Sequence, residues 1–442
     1  MSYLQTTLAS AGSILVFASA SYAADLPSRK SAPVEYVKVC NAYGAGYFNI
    51  PGSDTCLRLS GRVRADYMYI PGKTLYSGVS NTGVPTVSSP SDAQHLHGTE
   101  MRARLSFDAR TPTSLGTVQT VAQFRRARKG GVLQNASAAT NTSAGVSLEA
   151  AYVRFAGFTF GAAKDNFVFM DPKIFGDGYW ATFSNGAKQL AYTATFGGGF
   201  SGTIALQDRA DTAKSAGSAG VSSTYEVYNS APQVNVNLNV DQSWGALQLS
   251  GAYSSISLNK TDNSYDESKG AYALGAGLKL NLPMLAKGDT LWLAANFADG
   301  MSEYTSLWLS TKDERGVGGF FSSLRSYVTT PTGIQTVKSW NVAAALDHYW
   351  ASQYRSTFFA SYTGLTAPTG AKTSAWNGSG FFGDANAWNA GANFVWMPAR
   401  NFEIGAEVIY SQIKQDVRSA NLSVFDRTDS NWTGRLRVER NF

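Results

Sequence analysis

The sequence predicts an all-β fold: a transmembrane antiparallel β-barrel of about sixteen strands. Three observations predict it. The first is composition. Aromatic residues make up 13% of the 442-residue chain, glycine occurs 43 times, and charged residues reach only 15%, against about 25% in ordinary soluble domains. The second is that no segment beyond the N-terminus has the roughly 18 consecutive apolar residues a membrane helix needs. Apolar residues are instead spread one in two, as in strands that face lipid on one side and water on the other. The third is the strand Trp432–Phe442. Trp432, Gly434, Leu436, Val438 and Phe442 fall on one face, with Arg440 as the exception, and Thr433, Arg435, Arg437, Glu439 and Asn441 fall on the other. Composition alone leaves a soluble sandwich or propeller open, but no fixed-period repeat supports a propeller.

The chain begins with a segment read as an export signal. Leu8 to Ala20 is a short apolar core, and Ser21-Tyr22-Ala23 places small residues where signal peptidase requires them. Cleavage is expected after Ala23, although residues 1–10 carry no Lys or Arg. The organisation expected is a signal peptide over 1–23, a periplasmic or barrel-entry segment with a Cys pair over 24–56, and a barrel over 57–442. Cys40 and Cys56 would meet an oxidising periplasm, where a disulfide persists. Two free buried thiols are the alternative, and no histidine lies near them to suggest a metal.

Strands are expected near 57–70, 101–110, 117–129, 146–156, 157–163, 187–196, 200–208, 232–241, 244–255, 270–282, 290–299, 338–348, 353–362, 386–397, 402–412 and 431–442. Leu57, Leu59, Val63, Ala65, Tyr67 and Tyr69 alternate with Arg58, Ser60, Arg62, Arg64 and Asp66 in the first. Met101, Ala103, Leu105, Phe107 and Ala109 alternate with Arg102, Arg104, Ser106, Asp108 and Arg110 in the second. Aromatics near the ends of the apolar faces suit interfacial girdles. Long polar connections at 71–100, 209–231, 300–337 and 413–430 alternate with tight turns such as Gly197-Gly198-Gly199.

The segment Val34 to Arg58, with two Cys bracketing Tyr43-Gly44-Ala45-Gly46-Tyr47-Phe48 and Ile50-Pro51-Gly52, closely resembles the start of the alphaproteobacterial general porins. A strand ending on Phe442 is similar to the assembly signal of bacterial outer-membrane barrels. The resemblance implies a homotrimer of sixteen-stranded barrels in the Gram-negative outer membrane. It also implies contact with lipid and lipopolysaccharide, insertion by the barrel assembly machinery, and a third long loop that narrows the pore. That loop would be Lys164 to Trp180, with Asp165, Asp171 and Asp177 facing water and its aromatics pinned to the wall.

Closing the barrel makes the last strand a neighbour of the first. The inward faces of four adjacent strands then carry Arg62, Arg64, Arg102, Arg104, Arg125, Arg435 and Arg437 as one basic wall. Asp66, Asp108 and Glu439 are candidate counter-charges. A basic wall opposite an acidic loop would set a transverse field that tunes ion selectivity. The expectation is passive diffusion of ions and small hydrophilic solutes, with no cofactor, no metal and no nucleic-acid partner. The net charge of +6 is modest for a nucleic-acid binder. A substrate- or anion-selective channel is the alternative. A barrel enzyme would need a His paired with Asp or Ser at the rim. His95 and His97 read as part of a solvated loop, and His348 reads as interfacial beside Tyr349 and Trp350. A purely structural or adhesive barrel is disfavoured by the arginine-rich inward faces.

Overall fold

The computed structural model describes residues 38–70, 76–79, 85–87, 97–131, 133, 145–176, 187–208, 225–228, 231–260, 266–305, 327–330, 333–369, 381–418 and 424–442. The proposed signal peptide lies outside them, as do His95 and Asp177. Sixteen strands form one closed antiparallel barrel. They are β1 Cys56–Tyr69, β2 His97–Thr113, β3 Gly116–Gly131, β4 Ser147–Phe155, β5 Phe158–Ala163, β6 Ala187–Gly197, β7 Phe200–Gln207 and β8 Gln233–Gln242. They continue as β9 Gly245–Lys260, β10 Asp266–Asn281, β11 Thr290–Asp299, β12 Lys338–Ala351, β13 Tyr354–Thr366, β14 Phe381–Ala399, β15 Phe402–Arg418 and β16 Val424–Asn441.

The strands form where alternation predicts them, but several run further at the long-loop end. β9 continues to Lys260, β15 to Arg418, and β16 starts at Val424. The connection expected over 413–430 therefore shrinks to 419–423. The reason is environmental. Beyond the lipid both faces of a strand meet polar surroundings, so pairing continues while the apolar alternation that reveals it stops. His97, expected in a loop, opens β2 opposite Tyr69 and stacks on Tyr67 with ring centroids 5.8 Å apart.

Alternation sorts the side chains as expected. Leu59, Val63, Tyr67, Met101, Trp432, Leu436 and Val438 are exposed on the outer surface, a continuous apolar belt that only lipid or another apolar surface would satisfy. Tight turns gather at one end. Gly198 and Gly199, both with positive φ, close β6 onto β7, as the twist of a two-residue hairpin requires.

The seam is closed by β16 against β1, from Arg62↔Asn441 to Tyr69↔Gly434. Phe442 adds a reciprocal backbone pair with Gly61, at 2.9 and 3.0 Å. That leaves the start of β1 without a partner from β16. A short strand, Tyr47–Asn49, folds back and pairs there, Tyr47↔Arg58 and Asn49↔Cys56. Covering an open edge in this way removes a site of unwanted pairing. The Cys40–Cys56 disulfide, with Cα atoms 5.9 Å apart, ties the strap down. Tyr47 is buried and donates its hydroxyl to Asp108 Oδ2 at 2.7 Å. Arg58 and Arg110 stack over its ring at 4.9 and 5.1 Å.

Candidate functional site

The connection after β5 enters the barrel, and its described part, residues 164–176, is anchored there at several points. Three of its phenylalanines sit where the wall has no side chain: Phe167 over Gly275, Phe169 over Gly277 and Phe175 over Gly405. A Cβ on Gly405 would lie 2.6 Å from the Phe175 ring, so glycine is what admits the loop. Polar bonds then fix its backbone. Glu407 accepts from Phe175 N and Gly176 N, both at 2.6 Å. The Phe175 carbonyl accepts from Arg435 Nη1 at 2.7 Å and Arg437 Nη2 at 3.0 Å. The Lys173 carbonyl accepts from Arg355, Thr357 and Asn393, and Lys173 N donates to Asp347 Oδ1 at 3.1 Å. Bonds to the backbone of Lys173, Phe175 and Gly176 fix this part of the loop in the lumen.

A second segment also folds inward. After β11, residues Met301 to Thr305 are buried inside the barrel. Tyr304 packs its ring on Phe167, centroids 4.1 Å apart, and donates its hydroxyl to Asp165 Oδ2 at 3.0 Å. Asp165 Oδ1 accepts from Phe167 N, Asn235 and Gln207 at 2.9, 2.9 and 3.3 Å. Asp165 is thus a buried junction of two loops, not the water-facing carboxylate expected from sequence. Burial pushes its carboxyl above the usual range, against donors that favour the ionised form. The surrounding inward amides, Gln207, Gln233 and Asn235, are consumed by the same network.

The open lumen is left beside β16 and β1 to β4. There a cavity of about 660 Å³ lies between wall and loop. Arg62, Arg64, Arg102, Arg104, Arg125 and Arg437 line it from the wall, joined by Arg355, Glu149, Glu403 and Glu439. The loop adds Lys164, Asp171 and Lys173. Among the described residues, nine cationic side chains therefore meet four carboxylates, a formal excess of five positive charges. The expected acidic loop face is not assembled from these residues: Asp165 is buried, and Asp171 stands with two lysines.

Register explains how so many arginines coexist. Asp66 lies between Arg437 on β16 and Glu100 on β2. Arg437 donates to both Asp66 oxygens at 2.6 and 3.0 Å. Glu100 takes Arg102 Nε and Nη2 at 3.1 and 2.7 Å. Glu149 serves Arg104 and Arg125, and Glu439 lies 3.8 Å from Arg62. Counter-charges are interleaved on the wall itself, which offsets the desolvation that buried guanidiniums incur. Arg435 is nearly buried and holds the loop, so it does not line the cavity as expected. Sequence reasoning missed Glu100, Glu149, Glu403, Glu407, Arg355 and Tyr304. Strand parity already places Arg355, Glu403 and Glu407 inward, whereas nothing in the sequence marks Tyr304.

His348 Nδ1 lies 2.6 Å from Asp289 Oδ2, and Asp289 also accepts from Tyr349 N at 2.8 Å. The pair closes a turn at the tight-turn end, with the imidazole edge-on to Trp350. No group of three or more metal-ligating side chains occurs among the described residues.

Residues 25–435 match the Porin subfamily. Porin Omp2a of Brucella melitensis is 30% identical over 319 residues, covering 66% of this chain and 81% of that protein. Porin Omp2b of Brucella neotomae is 30% identical over 311 residues, covering 66% and 80%. The crystal structure of the outer membrane channel DcaP of Acinetobacter baumannii superposes with a TM-score of 0.62 at 14% identity, covering 89% of this chain and 99% of that one. At that identity the likeness concerns the fold alone.

Proposed function

Since the chain belongs to the Porin subfamily, and is a passive diffusion channel of the Gram-negative outer membrane, we propose that its conduction path runs between the arginine wall and the inward loop and favours anions. One observation carries the reading: the cavity there has nine cationic side chains against four carboxylates. Fixed charge at the narrowest point raises the local concentration of counter-ions and lowers that of co-ions. Arg62, Arg64, Arg102, Arg104 and Arg125 supply the field, with Arg437 beside them. Arg435 positions the loop, and Asp171 tempers the field from the loop side. Asp177 belongs to the same loop and lies outside the described residues.

Planar-bilayer recording tests this directly. Purified protein should give stepwise conductance, and its reversal potential in a potassium chloride gradient should have the sign of chloride preference. A cation-preferring reversal potential would overturn the assignment of the wall. The structure favours a channel over a barrel enzyme because the His348–Asp289 pair closes a turn at the rim and is no part of the cavity. Incubation with phospholipid or peptide substrates, with no turnover expected, checks that preference. The belt of exposed apolar residues suits lipid and the homotrimer implied by family resemblance. Lipopolysaccharide contact and assembly-machinery recognition of Phe442 belong to the same proposal, as does export by residues 1–23 ahead of the 24–56 entry segment.

A further inference from the structure

The wall contains an arrangement that a diffuse field does not require. Arg62 lies directly opposite Arg104, and Arg64 directly opposite Arg102. Side chains so placed have Cβ atoms roughly 5 Å apart, and like charges there repel. The two rungs are separated by two residues along each strand, about 7 Å. Four guanidiniums therefore frame one small patch of the cavity surface.

Their counter-charges are unequally shared. Arg102 and Arg104 are engaged by Glu100 and Glu149. Among the described residues, the one carboxylate within 4 Å of Arg62 is Glu439, at 3.8 Å, with Glu149 acting on it from further away. Arg64 Nε lies 3.2 Å from Asp66 Oδ2 without hydrogen-bond geometry, and Asp66 already takes two bonds from Arg437. Each guanidinium carries five N–H donors in a fixed fork. Arg62 and Arg64 thus present most of theirs to the cavity, while the Arg64 side chain is only 9% exposed. Buried cationic donors of this kind are matched best by an anion with several acceptor oxygens.

We propose that Arg62, Arg64, Arg102 and Arg104 form a saturable site for one doubly charged inorganic oxyanion, such as sulfate or hydrogen phosphate. The proposal rests on the reading that this wall borders the conduction path. A compact tetrahedral dianion offers an oxygen towards each rung and two charges to set against the opposed pairs. A monovalent anion offers half the charge, and a long solute cannot bring both of its charged ends into a patch this size. The pore would then pass chloride freely and hold sulfate longer.

The test is chloride current in planar bilayers with potassium sulfate added, acetate at matched ionic strength being the control. Sulfate should reduce the current along a saturating curve, and acetate should not. The Arg62→Lys/Arg64→Lys double variant keeps both charges and removes the forks. Its half-blocking sulfate concentration should rise by about tenfold or more, as expected when a charge-assisted hydrogen bond is lost. Stepwise conductance shows that the variant has folded, and Arg102→Lys serves the same purpose if the double variant does not assemble. A chloride-preferring pore whose current sulfate leaves unsaturated, or a lysine variant blocked as strongly as the original, overturns the site and leaves the wall assignment standing. A pore that prefers cations overturns the wall assignment itself.

Discussion

Arg437 on the last strand donates both Nε and Nη2 to Asp66 on the first, at 2.6 and 3.0 Å, so the seam of the barrel is bolted from inside by a two-pronged ion pair. Asp66 is fully buried as a side chain and Arg437 nearly so. Removing one partner of such a pair leaves the other charge uncompensated, at a cost of about 3 kcal/mol or more. The Asp66→Asn variant should therefore unfold at a lower temperature, read as the loss of the compact band on detergent gels. Equal melting of variant and original would show that the seam does not depend on the pair.

Replacing Arg62, Arg64 and Arg102 together with glutamine removes three of the nine cationic groups at the cavity. Reversal potentials in a salt gradient should move towards cation preference. An unmoved potential would place the selective element elsewhere in the lumen.

Tyr304 joins two inward segments through its ring, packed on Phe167, and its hydroxyl. Tyr304→Phe takes one donor from buried Asp165 and one acceptor from Gln233 and Asn235. Groups left unsatisfied in this way cost about 1–3 kcal/mol. The fold should persist while the loop is held less firmly, giving noisier single-channel current and entry of larger sugars in liposome swelling. Quiet current with an unchanged size limit would count against the joint.

The strap is tied by the Cys40–Cys56 disulfide over a sequence separation of 16 residues. Closing a loop of this size is worth about 3 kcal/mol in the chain-entropy model. Cys40→Ser with Cys56→Ser should lower the unfolding temperature and leave conductance unchanged, because neither sulfur borders the cavity. A changed conductance would mean that the strap reaches further into the lumen than its contacts indicate.

Much of the barrel was legible because lipid outside and water inside impose a period of two on every strand. Adjacency alone then brought the arginines of β16, β1, β2 and β3 together. Register was not legible. That Arg62 meets Arg104, while Asp66 meets Arg437, depends on the stagger of neighbouring strands, which no single strand encodes. Asp165 misled because a carboxylate in a polar loop reads as solvated. Its partners, Gln207 and Asn235, each read as ordinary pore-lining amides, and only folding shows that they converge on it. The strand extensions beyond the lipid were hidden for the opposite reason, since pairing there proceeds without alternation.

The inward loop is fastened to β10, β15 and β16, and the cavity is bounded by that loop on one side and the arginine wall on the other, as a slot would be. A round hole sorts molecules by their widest radius. A slot sorts them by their thinnest dimension. Flat ring compounds would slip through edge-on where compact, branched isomers of equal mass stall, so ranking isomers by thickness should order their permeation better than ranking them by weight.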